Sequence, residues 1–296
     1  LVCGLFAGCG GKNGQGTDGS NGASPSETAA RTDGEVYVAS YASLTSEDGS
    51  ELNVNTARLF GDTVYFSAYI ETSVDPDGNV LTMDDEDYWT YYQSAPGLFQ
   101  APVAGGTATP LSAYVPLSPP EGSEGSSEIR SLSVDKEGNL WVLETLYSYH
   151  YDAPEGMSSE DEDYWNYYVD DGQQFAVRKL DSTGAELTSL SLDALSSNPD
   201  TYISQILFDA EGRLYLIQDW STLVVLDSEG NQLFSQESEY GYDNLVLLSD
   251  GGVGVSSYQN GYAVQRVDPV TKSLTDRYSL PIGCYNVYDG GGDALL

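Results

Sequence analysis

The feature that most restricts this chain is a motif it repeats. Ser133-Val134-Asp135-Lys136-Glu137-Gly138-Asn139-Leu140-Trp141-Val142-Leu143 aligns with Leu207-Phe208-Asp209-Ala210-Glu211-Gly212-Arg213-Leu214-Tyr215-Leu216-Ile217, and more loosely with the segment from Leu248 to Val255. Each copy reads as a strand, a tight turn and a strand. Gly accepts positive φ, Asp bonds its own backbone, and the flanking apolar residues alternate as half-buried strands do. Two more copies frame these, Arg58 to Phe66 around Gly61 and Asp62, and Tyr285 to Leu295 around Gly290. The turn glycines at 61, 138, 212, 251 and about 290 stand 77, 74, 39 and about 39 residues apart. The short interval is the length of one four-stranded propeller blade. The long ones are a blade plus an insertion.

The unit around Gly212 divides into strands at Tyr202 to Asp209, Arg213 to Gln218, Thr222 to Asp227 and Asn231 to Gln236, and the next at Asn244 to Leu248, Gly252 to Tyr258, Tyr262 to Asp268 and Leu274 to Leu280. No stretch of ten or more residues carries a 3.6-residue apolar period, so helix is nearly absent. The expected fold is all-β: a β-propeller of four-stranded blades over 34–296, present as an incomplete arc of about four and a half blades. A two-sheet sandwich is the alternative, but it does not call for a blade-length period. The chain stops inside the second strand of a fifth blade, and Glu35 to Leu44 is a candidate closing strand.

The insertions, at about 71–95 and 146–173, resemble one another. Asp85-Glu86-Asp87-Tyr88-Trp89-Thr90-Tyr91-Tyr92 recurs as Asp161-Glu162-Asp163-Tyr164-Trp165-Asn166-Tyr167-Tyr168, 76 residues on. Both fall between the second and third strands of neighbouring blades. The candidate ligand-binding residues are therefore Asp85, Glu86, Asp87, Tyr88, Trp89, Asp161, Glu162, Asp163, Tyr164 and Trp165. One reading is bland: the acids keep a loop solvated and the rings pack its base. A second is recognition of a cation or cationic peptide, since carboxylates and ring faces both attract positive charge. Calcium is the narrower form, with Asp75-Pro76-Asp77-Gly78-Asn79 as a partial match to a calcium loop that lacks the third acid and the bidentate Glu. A sugar platform on the same rings is a further alternative.

Charge narrows the partners. With 46 acidic and 11 basic residues the formal charge is -35, and such a surface repels phosphates and has no basic stripe to release counterions. Nucleic acid is excluded as a partner, and any membrane contact must come through a lipid. His150 is the sole histidine, no Gly-Xaa-Ser-Xaa-Gly elbow is present, and paired carboxylates in so acidic a chain identify nothing. The expectation is a protein that is not an enzyme. The rival is a secreted hydrolase or lyase built on a propeller scaffold.

At the N-terminus, Leu1 to Gly8 form a short apolar run ending in two small residues before Cys9. About eight apolar residues cannot cross a bilayer that needs about twenty, so the run reads as the remnant of a signal peptide. It resembles a lipobox, with Phe6 where Leu is usual, which implies a diacylglyceryl group on Cys9. Residues 9–33 then read as a flexible Gly and Ser tether. Cys3 would be removed and Cys9 acylated, leaving Cys284 with no disulfide partner.

Gly97 to Leu111 looks like the strand, Gly-Gly turn and strand of propeller repeats in bacterial surface proteins, and Val134 to Leu143 and Phe208 to Ile217 look like NHL-type and two-component-sensor-type units. With the lipobox, the chain is similar to lipoproteins of Gram-positive gut anaerobes in which a propeller precedes an ABC-transporter solute-binding domain. That resemblance implies a recognition or scaffold module on the extracellular face of the cell membrane. It also implies a transporter permease as partner if a solute-binding domain follows.

Overall fold

The computed structural model describes residues 52–279 apart from 136, 160, 193–194, 196–200, 249 and 259–260, together with 4–5, 40–41 and 44–46. Cys9, the whole tether over 9–33, Cys284 and the fifth copy of the repeat lie outside the described residues. Four blades follow one another along the chain. Blade 1 comprises Val54–Phe60, Thr63–Ser73, Tyr92–Pro102 and Thr109–Pro110, and blade 2 Glu124–Val134, Leu140–Tyr151, Tyr168–Leu180 and Glu186–Ser191. Blade 3 comprises Ile203–Phe208, Leu214–Gln218, Thr222–Leu226 and Gln232–Glu237, and blade 4 Leu245–Leu247, Val253–Tyr258, Tyr262–Asp268 and Ser273–Ser279. Each is an antiparallel sheet in chain order. The fold is a β-propeller.

The repeated motif has a physical explanation. In blade 2, one Asp135 carboxylate oxygen accepts the N–H groups of Glu137 and Asn139, and the other accepts the indole N–H of Trp141. In blade 3, Asp209 does the same for Glu211, Arg213 and the Tyr215 hydroxyl. The aspartate thus closes the turn and anchors the ring six residues on. Gly138 and Gly212 occupy the left-handed region, at φ 85° and 80°, where a side chain would be strained. Asp181-Ser182-Thr183-Gly184-Ala185 and Asp227-Ser228-Glu229-Gly230-Asn231 close third-to-fourth-strand hairpins in the same way. So does Asp75-Pro76-Asp77-Gly78-Asn79 within the first insertion.

Central strands look continuously apolar because both of their faces are buried. Leu214 and Leu216 pack between blades 2 and 3 while Tyr215 and Ile217 pack between blades 3 and 4; Val224 and Leu226 alternate likewise with Leu223 and Val225. A third cluster, with Tyr65, Leu98, Ile129 and Val142, fills the space between blades 1 and 2. The innermost strands are tied by side chains that reach the backbone of the next blade. Asn55 donates to the carbonyl of Ile129, the Ile206 N–H donates to Ser131 and the Leu245 N–H to Gln205, at 2.9, 3.2 and 2.7 Å.

Blades 1 and 2 are joined through a buried charge network. Glu144 accepts Arg178 Nη1 at 2.7 Å and the Leu117 N–H at 2.6 Å. Arg178 also donates to Glu186 at 2.7 Å and to the carbonyl of Val115 at 2.9 Å. The inter-blade crossover is thereby fastened to two strands of blade 2.

The predicted closing of a last blade by Glu35 to Leu44 lies outside the described residues, which in that segment are 40–41 and 44. Ser40–Tyr41 pairs with Gly4–Leu5, and Leu44–Thr45 pairs in parallel with Gly106–Thr107 beside blade 1. Edge backbone groups are satisfied by whichever strand lies within reach, and for Leu44–Thr45 that strand lies beside the first blade. Among the described residues there is no α-helix, and no helix is long and apolar enough to cross a membrane.

Candidate functional site

Antiparallel topology puts all second-to-third-strand connections at one end of the blades, together with the crossovers from blade to blade. In blades 3 and 4 the second strands are 5 and 6 residues long, whereas in blades 1 and 2 they are 11 and 12. Six extra residues at about 3.3 Å each extend the hairpin about 20 Å beyond its neighbours. In blade 1 the extension is a two-stranded ribbon; in blade 2 the first strand joins it, with Glu124 opposite Tyr149. Much of each insertion is strand, and each hairpin tip lies between the second and third strands of its blade.

Their tips share one local fold. Asp85 accepts the N–H and the hydroxyl of Thr82, and Asp161 those of Ser158. The Tyr88 and Tyr164 N–H groups then bond the carbonyls of Asp85 and Asp161, which starts the short 3-10 turns Tyr88–Thr90 and Tyr164–Tyr167. Asp85 and Asp161 are accordingly turn-forming groups. The Thr82 hydrogen bonds hold the Asp85 carboxyl below the usual carboxylate range, and the same carboxylate in both copies is explained by structure without a ligand. Asp163 bonds Asn166 at 3.1 Å. Glu86, Asp87 and Glu162 are exposed at the tips.

The rings divide by role as well. Tyr88 is buried and its carbonyl accepts from Ser73, which anchors the first tip. Trp89 stands out beside it, edge-on to Tyr88 at 5.0 Å and 5.3 Å from Tyr92. In the second insertion Tyr164 stacks on Tyr151 at 4.5 Å, and Trp165 meets Tyr151 edge-on at 5.5 Å. Tyr147 and Tyr149 continue this ladder along the second strand, with Tyr168 packed against Tyr149 and its hydroxyl hydrogen-bonded to that of Tyr147. That bond, followed by burial, raises the Tyr168 pKa. Tyr147, Tyr149 and Tyr151 were not singled out as site residues from the sequence. The signal was their spacing of two, which puts strand residues on one face.

Two more blades add rings to the same end. Trp220 occupies the three-residue turn between the second and third strands of blade 3, stacked on Tyr202 at 5.2 Å, and Arg130 lies over the Tyr202 ring at 4.7 Å. Asp219 and Trp220 have φ of 51° and 58°, a region that costs a residue with Cβ about 1–2 kcal/mol. In blade 4, Tyr258 meets Tyr262 across the equivalent turn at 5.1 Å. Trp89, Trp165, Trp220 and Tyr258 are 69, 61, 55 and 56% exposed. Four consecutive blades thus each present an exposed aromatic ring at one end, of which the sequence duplication had disclosed two.

Below the inserted hairpins a cleft of about 300 Å³ is lined by Tyr69 and Ser94 of blade 1 and by Ser126, Ser127, Glu128, Arg130, Thr145, Tyr147 and Gln173 of blade 2. Arg130 pairs with Glu128 at 2.9 Å and donates to the Tyr202 hydroxyl at 3.2 Å. Nothing in the sequence pattern brings Tyr69 to Arg130.

His150 bonds Asp171 at 2.8 Å, and Ser123 bonds the other oxygen of the same carboxylate at 2.9 Å. The carboxylate lies between hydroxyl and imidazole, so this trio does not make the Ser-His-Asp relay, in which the imidazole is in the middle. The partial calcium loop does not fit the metal either: the Asp75 carboxylate is taken up by Asp77 and Asn79. Among the described residues no three His, Cys, Asp or Glu side chains converge as metal ligands.

No family model matches the chain, and no curated protein matches it. Solved structures do resemble it. A protein of unknown function from Bacteroides caccae aligns at TM-score 0.41 and 11% identity over 77% of this chain and 61% of that one. A provisionally assigned gluconolactonase aligns at 0.41 and 13% over 83% and 66%, and YCF48 bound to a D1 peptide at 0.33 and 9% over 81% and 71%. The chain spans less than two thirds of the length of the first two. At such identities the likeness concerns the fold and reaches no residue or activity.

Proposed function

We propose that this propeller is a non-enzymatic recognition module held at the outer face of a bacterial membrane by a lipid on Cys9, and that it binds a cationic ligand through its aromatic end. The observation that carries the reading is the ring on each of four blades, flanked at the two longest tips by the exposed carboxylates of Glu86, Asp87 and Glu162. Tryptophan and tyrosine faces attract cations through their quadrupoles at about 0.5–2 kcal/mol per contact, and a chain of formal charge -35 steers positive ligands toward itself. The Trp220 turn supports the same reading, because a bulky residue kept in a disfavoured conformation points to use of its ring. Service as the accessory domain of a solute-uptake lipoprotein accords with this placement.

Two measurements test the reading. Cys9→Ser should move the protein from the membrane fraction to the medium; retention at the membrane rejects the anchor. An Arg- and Lys-rich peptide should bind in a salt-dependent manner, and Trp89→Ala with Trp165→Ala should weaken it about tenfold. Equal binding by the variant rejects the rings as the binding surface.

A further inference from the structure

The cleft below the inserted hairpins gathers buried polar atoms that the fold leaves without partners. Ser127, Thr145, Arg130 and Gln173 line the cleft, and Ser127 Oγ, Thr145 Oγ1, Arg130 Nε and Gln173 Oε1 are buried with no hydrogen-bond partner within the protein. Ser127 and Thr145 are 5 and 3% exposed. Leaving such a group unsatisfied costs about 1–3 kcal/mol, and half of the eight such side-chain atoms among the described residues line this one cleft. A concentration of unmet donors and acceptors in one concave place is the mark of a site completed by a ligand.

The chemistry of the cleft specifies the ligand class. Arg130 Nε–H is a donor, Gln173 Oε1 an acceptor, and the two hydroxyls serve as either. The charge of Arg130 is offset by Glu128 at 2.9 Å, so an anion gains no net countercharge and also meets the repulsion of the whole molecule. A cation would face the Nε–H of Arg130. Tyr69 and Tyr147 supply ring surface; burial, then the nearby Glu128, raises the pKa of Tyr69, so its hydroxyl stays protonated as a further donor. We infer that the cleft binds a neutral, polyhydroxylated ligand, a saccharide of one or two rings, with Ser127, Thr145, Arg130 and Gln173 bonding its hydroxyls. The volume of about 300 Å³ sits at the lower end of small-molecule pockets. This site is separate from the aromatic tips, and its ligand is uncharged where theirs is cationic.

The experiment is calorimetry of the 296-residue chain with glucose, galactose, mannose, maltose and lactose, and with glucuronate and glucosamine as charged analogues. At least one neutral sugar should bind, more tightly than either charged analogue. Thr145→Val, which removes the hydroxyl and keeps the shape, and Gln173→Met should each weaken it about tenfold, while the Thr145→Val melting temperature stays level or rises. Trp89→Ala and Trp165→Ala should leave sugar binding intact, which separates this site from the tips. Three outcomes overturn the inference: no neutral sugar bound at about 20 mM, binding indifferent to both cleft variants, or preference for a charged analogue.

Discussion

Arg178→Met tests how the first two blades are joined. The guanidinium is buried, with Glu144 and Glu186 each at 2.7 Å and the carbonyl of Val115 at 2.9 Å. Methionine fills much of the space of the arginine stem but leaves Glu144 with the Leu117 N–H at 2.6 Å and no countercharge. An uncompensated buried charge costs about 3–5 kcal/mol, and freeing the Val115 carbonyl adds about 1 kcal/mol or more. With a urea dependence of about 2–3 kcal/mol per M for a domain of this size, the unfolding midpoint should fall by about 1.5–3 M. Tryptophan fluorescence in a urea series reads it. The double variant Glu144→Leu with Arg178→Met removes both charges and should regain part of the loss, because apolar replacement of a buried pair is close to neutral. Full recovery is not expected, since Leu117 N–H and Val115 C=O still lack their partners. A loss below about 1 kcal/mol for Arg178→Met, or a double variant no better than the single, would refute the reasoning.

Gly251→Ala should cost about 1–3 kcal/mol, since the new Cβ would meet the Cβ of Ala210 at 2.8 Å in a left-handed residue at φ 78°. Gly212→Ala, at φ 80° with nothing within 4 Å of the added Cβ, should cost about 1 kcal/mol; equal melting temperatures for the two variants would show that blade contact is irrelevant there. Bonds from Asn231 hold Asp227 below the usual carboxylate range, as bonds from Thr183 do Asp181. A carboxyl lowered in the folded state adds stability above its unfolded pKa and loses it as pH falls through the folded value, so the loss should begin below about pH 4. Asp227→Asn should therefore melt below the parent at pH 7, with the gap narrowing as pH falls below about 4, as a calorimetric pH series would show; a constant gap would contradict this. Because the chain carries a formal charge of -35, its melting temperature should rise between about 20 and 500 mM NaCl as self-repulsion is screened. A falling temperature would mean that specific ion pairs outweigh that repulsion.

The sequence alone determined the blades. Turn chemistry is local, so Asp209 and Gly212 announce a hairpin without knowledge of what lies across the molecule, and the period of those turns determines how many strands separate them. The strands of blades 3 and 4 were legible to within about one residue for that reason. The duplicated tips were legible as well, but their meaning was not. Asp85 and Asp161 were candidate ligand groups beside a bland reading, and the hydrogen bonds of Thr82 and Ser158 give them a turn-closing role, while Trp220, alone in a three-residue turn, carried no signal. Tertiary structure decided which rings share an end, that Leu44–Thr45 pairs with Gly106–Thr107, and that Tyr69, Arg130, Thr145 and Gln173 line one cleft. Those are relations across 61 to 104 residues of sequence between Tyr69 and the other three. They are created by the register and twist of packed sheets, and no local propensity encodes them.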